Sequence, residues 1–460
     1  MNNRAARFLE GSIFRHVVVM TLTGALGLMT LFIVELADLY FLSLLKNEQI
    51  TAAIGFAGTL DFANLSLCIG TGIAAVALVS RSVGAGNTQR AKEFATNAMI
   101  VAIVISAVYT LLVNIFIGPI LGFLGATGET AHLAKLFVWT ISPGFIFLAG
   151  SLSTSFSLRG IGDAKRAMYN TLTAALVTLA LDPIFIFGLG WGIQGTAAAN
   201  AIAYVMAFAV GLYGLGVQNR FLTRPSLALF KRDFPAVWGI ALPSLIAQLA
   251  TPFAAGYMTY VFAPFGDAVI TGATVVNRVV PVAFGVIFSL SGAVGPIIGQ
   301  NFGARNFPRV KRALRDGLAF AILYAAAMSL VLYLLRHKLI GAFHIEGRAA
   351  ELVDFFCTWI AISWALLGGL FVASAAFNNL GKPVYSTLTN WGRATVGTIP
   401  FAMLGAALAG PETAPEGILI GISIGGGLFG LGSMWLAYAL VAQVSGQPGG
   451  PVPNASAAPR

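Results

Sequence analysis

The sequence predicts an all-α membrane protein with twelve transmembrane helices in two repeated six-helix halves. Three observations carry this expectation. Of 460 residues, 57% are hydrophobic and only 10% charged, with a mean hydropathy of +0.84, whereas soluble domains carry about 25% charged residues. The apolar residues form long continuous runs rather than alternating ten-residue segments, which selects helices over a barrel. Loop motifs also recur at one fixed offset of 219 residues.

At about twenty residues per crossing, the runs place spans at 15–44, 51–80, 96–124, 131–156, 167–190, 193–217, 235–263, 266–298, 315–335, 350–377, 384–408 and 417–444. With the N-terminus in the cytoplasm, cytoplasmic segments hold 20 of the 27 Lys and Arg residues and the outer loops hold 5. Arg278 and Arg393 fall inside spans. This asymmetry satisfies the positive-inside rule and puts both termini in the cytoplasm. The net charge of +10 is read as a topology signal that meets anionic headgroups, and no nucleic-acid partner is expected. The N-terminal twenty residues lack a short apolar core with a cleavage site, so the first span is expected to stay as an anchor. Cys68 and Cys357 sit in apolar runs and read as buried packing.

The chain is expected to divide into an N-terminal lobe at 1–217, a basic cytoplasmic linker at 218–234, a C-terminal lobe at 235–444 and a disordered Pro/Gly/Ala-rich tail at 445–460. In the loop after span two, Gly84, Ala85, Asn87, Arg90 and Lys92 match Gly303, Ala304, Asn306, Arg309 and Lys311. After span four, Gly162 matches Gly381 at the same offset. Two separate loops agreeing on one offset indicate duplication. Six spans separate equivalents, so the halves enter the membrane in the same orientation.

The intramembrane acids mark the candidate site. An ionised carboxylate in hydrocarbon costs several kcal/mol, so such residues face a bundle interior or a wet cavity. Asp182 lies in an apolar run and is followed by Pro183, which removes the backbone donor that would serve Leu179 and kinks the helix. Glu35 and Asp38 are three residues apart and share a helix face in span one. Asp61 lies in span two. Rise per residue puts all four acids in the outer half of the membrane. The second half differs in chemistry: Asp38 becomes Tyr257 and Asp182 becomes Phe401 at the shared offset. Its polar candidates are Gln248, Asn277, Arg278, Asn378 and Asn379. Ion coupling is therefore expected in the first half. Tyr40, Phe41, Phe56, Phe62 and Tyr257 are candidates to line an amphiphilic pocket through cation–π contacts.

The duplicated six-span half, the first-span acid, LDPIFIFGLGWGIQGTAAAN, SLRGIGDAK and GQNFGARN together resemble the multidrug and toxic compound extrusion (MATE) family, over roughly Ile13 to Ala442. Among its members the chain looks like the prokaryotic DinF-type proteins. The resemblance implies a V-shaped pair of six-helix bundles around a central cavity, exporting amphiphilic cationic drugs by antiport against H+ or Na+. It implies a monomer in the bacterial cytoplasmic membrane, no cofactor and no enzyme activity. It assigns Asp38 and Asp182 as the ion-coupling acids. Where related members carry an Asn four residues before the second acid and a Thr in span six, this chain has Thr178 and Asn200, so both residue types are exchanged. Sodium would be held by Asp182, Thr178 and Asn200 with a freed carbonyl. Thr23 replaces a helix-bending proline, and Thr251 replaces a seventh-span Glu used in other branches.

A carboxylate in a poorly hydrated cavity holds its proton more tightly, and a neighbouring acid adds to this. Deprotonated, the pair would attract an organic cation; protonated, it would release one. The alternative within the wider superfamily is a flippase for lipid-linked or amphiphilic substrates, which tends to have fourteen spans and a cationic cavity. An intramembrane enzyme is disfavoured because His16, His132, His337 and His344 fall at or near membrane edges without an HExxH or GxSxG context.

Overall fold

The computed structural model describes residues 6–44 and 47–446. Of the tail expected to be disordered, residues 447–460 lie outside the described residues. The described chain is helical without a strand. Its helices are α1 Ile13–Ser43, α2 Glu48–Gly84, α3 Thr88–Phe123, α4 Gly128–Gly160, α5 Ala164–Pro183, α6 Ile193–Leu212, α7 Leu227–Gln248 and α8 Ala250–Phe262. They continue with α9 Asp267–Gly303, α10 Phe307–Ala342, α11 Gly347–Phe355, α12 Trp364–Asn379, α13 Pro383–Ala394, α14 Ile399–Ala409 and α15 Ala414–Ser445.

By length and composition, 11 helical stretches among the described residues can cross a membrane. The remaining expected span, 384–408, is two shorter helices, α13 and α14, separated at 395–398. Pro400 accounts for the break. It has no N–H for the carbonyl four residues earlier, and it is favoured in the first turn of a new helix, where it stands in α14. Large side chains such as Leu111, Ile115, Leu323 and Leu334 are 60 to 65% exposed, the pattern of helices that face lipid rather than water.

The repeat is built from turn geometry. Asn87 and Asn306 both cap the following helix, accepting from the backbone N–H of Arg90 at 2.9 Å and of Arg309 at 3.3 Å. Gly162 and Gly381 both take the left-handed conformation, at φ +83° and +80°, which a Cβ would strain. Two unrelated-looking loops therefore keep one offset because each must close the same turn.

The chain forms two compact units. One holds Leu26–Leu245 and the other Phe8–Ala25 with residues 246–446. The borders cut α1 and α7 at positions that correspond to within one residue under the 219-residue offset, whereas the sequence halves meet in the 218–234 segment. In the first unit that segment is anchored. Asp233, fully buried in the first turns of α7, accepts from Arg90 Nη1 at 2.6 Å, Asn97 Nδ2 at 2.6 Å and Arg232 Nε at 2.9 Å. In the second unit, the Arg309 guanidinium donates to the carbonyls of Phe8, Glu10 and Gly11, and Phe8 N–H donates to Gln300 Oε1 at 3.1 Å.

Helices α14 and α15 pack backbone to backbone. A Cβ added at Gly421 would run into the Phe401 carbonyl, and one at Gly425 into the Gly397 carbonyl. Gly417, Gly421 and Gly425 recur every four residues, the spacing that lets membrane helices approach closely. Gly421→Leu is expected to destabilise the detergent-solubilised protein by at least about 1–3 kcal/mol. Gly432→Leu, where a Cβ meets nothing within 4 Å, should leave the thermal midpoint unchanged, and comparing the two melting curves checks the packing.

Candidate functional site

The site is assembled from α1, α5 and α6 of the first unit. Asp182 stands at the end of the regular part of α5. After Pro183 the helix widens into a π turn, Ile184–Gly188, a local irregularity that often marks functional positions in helices. Gly195 lets α6 reach this turn, since a Cβ there would sit 2.8 Å from the Phe185 carbonyl carbon. Ring contact between Phe41 and Phe187, with centroids 6.4 Å apart, joins α1 to the same turn. These approaches bring Asp38, Thr178, Asp182 and Asn200 together.

Asn200 links the group. Its Nδ2 donates to Asp38 Oδ2 at 3.1 Å and to the Thr196 carbonyl at 3.1 Å, while its Oδ1 accepts from Thr178 Oγ1 at 3.5 Å. Asp182 is fully buried, and neither of its carboxyl oxygens meets a donor; Asp38 Oδ1 is likewise unserved. The Asp182 and Asp38 carboxyls lie within hydrogen-bonding reach of each other. Such a contact needs a proton on one of them, because two carboxylates carry acceptors only. No arginine or lysine among the described residues pairs with either acid. One proton between two acids is the chemistry this arrangement supports.

The remaining candidates are placed differently. Asp61 is half-buried on α2. The side chains of Glu35 and Tyr40 lie outside the described residues. Gln248, Tyr257 and Asn277 belong to the second unit. There Tyr257 lines a cavity of about 400 Å³ with Tyr260, Pro264, Phe265 and Met403, Asn277 is exposed and Gln248 half-buried. Thr196, whose carbonyl accepts from Asn200, was not singled out by sequence; its place one turn before Asn200 is the signal that marks it. No group of three or more His, Cys, Asp or Glu able to hold a metal occurs among the described residues.

Helices of this length and polarity, carrying an acid pair with one member fully buried, define a multi-pass membrane transporter. The MatE family model matches residues 25–184 and 243–404, and the chain belongs to the MatE family, whose members are transporters and not enzymes. It is 28% identical to the FAD transporter of Shewanella oneidensis, over 93% of this chain and 95% of that one. It is 25% identical to the multidrug export protein MepA of Staphylococcus haemolyticus, over 79% and 80% of the two chains. The fold matches the crystal structure of the Vibrio cholerae MATE transporter VcmN in the bent form, with a TM-score of 0.88 at 24% identity, over 94% and 98% of the chains.

An Asp182→Asn change keeps the side-chain shape and supplies a permanent N–H donor in place of the proton the two acids share, which is costly to hold in basic solution. It is expected to raise the thermal stability of the purified protein at pH 8, by about 1–3 kcal/mol. A melting temperature unchanged or lowered by the substitution would show that the two carboxyls do not share a proton.

Proposed function

We propose that the protein is a secondary active efflux transporter that exports amphiphilic organic cations in exchange for H+ or Na+ by alternating access. It acts as a monomer in the bacterial cytoplasmic membrane, with both termini in the cytoplasm. The observation that carries this reading is the contact between Asp38 and Asp182. A fully buried acid and a half-buried one in mutual contact change from one negative charge to none on taking up a single proton. An organic cation binds the charged form, and the proton releases it. Competition for one charge couples the fluxes, and the coupling is reciprocal: cargo must weaken proton binding as much as protons weaken cargo binding.

Sodium is the alternative counter-ion. The unserved oxygens of Asp182 and Asp38, with Thr178 Oγ1 and Asn200 Oδ1, form an oxygen-rich donor set of the kind hard cations take. Sodium binding would require Asn200 Oδ1 to turn from Thr178 to the ion. The export direction is supported by the multidrug export relative. The FAD transporter relative, which spans almost the whole chain, supports a second cargo class, planar aromatic molecules that carry phosphate. A flippase is the more distant reading, favoured by no residue of the first unit.

Reconstituted in liposomes, the native protein should move an ethidium-like cation against an imposed H+ or Na+ gradient and collapse that gradient as it does so. Asp38→Asn and Asp182→Asn should each abolish the exchange and abolish resistance in a drug-hypersensitive host at unchanged protein levels. Full exchange in both variants contradicts acid coupling, and lipid scrambling without cation flux would indicate a flippase.

A further inference from the structure

Charge is segregated between the units. In the second unit four carboxylates near helix ends are held by arginines: Asp316 by Arg312 and Arg315, Asp354 by Arg336, and Glu351 and Glu416 by Arg348. Arg393 has no such partner. It stands ten residues into α13, about 15 Å along the helix, near the middle of a hydrocarbon core about 30 Å thick. No ion pair is formed by its guanidinium among the described residues, and its fully buried Nε meets no hydrogen-bond acceptor. The residue as a whole is half-buried, and of its three guanidinium nitrogens only Nε is both fully buried and without a partner.

An arginine at this depth is costly and persists where it has a task. Here a structural task is missing, because no acid or carbonyl takes its Nε–H. The surroundings are polar on one side. Asn390, one turn earlier on the same helix, donates to Ser374 Oγ of α12 at 3.1 Å. Just beyond Arg393 the helix breaks, and Thr398 Oγ1 donates to the Arg393 carbonyl across the break at 2.8 Å. The guanidinium therefore sits at a helix discontinuity, the kind of place where membrane transporters put binding groups.

We propose that Arg393 binds the phosphate of an anionic cargo, through the N–H groups of its two Nη atoms acting as a two-pronged donor. Paired N–H donors in a plane match two oxygens of one phosphate, and a charged donor on a charged acceptor makes the stronger class of hydrogen bond. The second unit thereby supplies a positive subsite that is separate from the acid pair of the first. The proposal rests on the transport reading. A phosphate can arrive on a soluble molecule or on a lipid headgroup, and the test separates these.

Riboflavin and flavin mononucleotide differ by one phosphate on the same ring system and serve as matched probes. In nanodiscs of zwitterionic lipid, the native protein should bind flavin mononucleotide more tightly than riboflavin, by about ten- to hundredfold. Arg393→Gln should erase that preference while leaving riboflavin affinity unchanged. Arg393→Lys, which keeps the charge but loses the fork, should reduce the preference and stands in if the glutamine variant fails to fold. Adding phosphatidylglycerol to the nanodiscs should leave flavin mononucleotide binding unaltered if soluble cargo is the ligand; displacement of the nucleotide assigns the site to a lipid headgroup. Equal binding of the two flavins by the native protein, or a preference that survives both substitutions, overturns the proposal. Asp182-dependent flux of an ethidium-like cation, measured on the same Arg393→Gln protein, should persist, so failure of this inference and failure of the transport reading are told apart.

Discussion

A carboxyl buried among apolar helices is tolerated only with a donor, a cation or a proton of its own, and Asp182 has neither of the first two. That constraint organises the first unit. Pro183 and the π turn that follows end the regular geometry of α5 beside the acid, Gly195 admits α6 close enough to deliver Asn200, and the Phe41–Phe187 contact brings in the C-terminal half of α1 with Asp38. Each local irregularity serves to set two acids against each other. The resulting charge depends on a single proton, which is what the proposed exchange of like charges requires.

Much of this was legible in the chain. The acids at 38 and 182 stand out because ionisable residues are rare in apolar runs, and Pro183 announces the kink beside one of them. The exchange of residue types at 178 and 200 was also visible. How the exchanged pair would bond was not, because the hydrogen bonds depend on which way the Asn200 amide points. The structure turns its oxygen to Thr178 and its nitrogen to Asp38 and the Thr196 carbonyl. Depth along a helix says nothing about azimuth, so the sequence alone does not say which face of α2 carries Asp61.

Fold class followed from composition and run length, but one crossing differs in kind. The run at 384–408 is apolar enough to be read as one helix, whereas Pro400 and the surrounding small residues divide it into α13 and α14. A single proline in a membrane run is often absorbed as a kink, so sequence does not distinguish a bend from a break. The duplication is also two-layered. Turn positions such as Gly162 and Gly381 kept residue and backbone conformation together, while the charges inside the spans diverged: acids in the first unit, Arg278 and Arg393 in the second. Backbone constraints are shared by both copies, and side-chain chemistry was free to specialise.

The central claim is that cargo and proton compete for one negative charge at Asp38 and Asp182. Proton release on cargo binding measures this directly, in weakly buffered detergent solution with a pH-sensitive dye. The native protein, titrated with a tetraphenylphosphonium-type cation, should release close to one proton per cation bound near neutral pH, and Asp182→Asn should release none. Cation binding by the native protein without proton release, in the absence of sodium, would contradict the account.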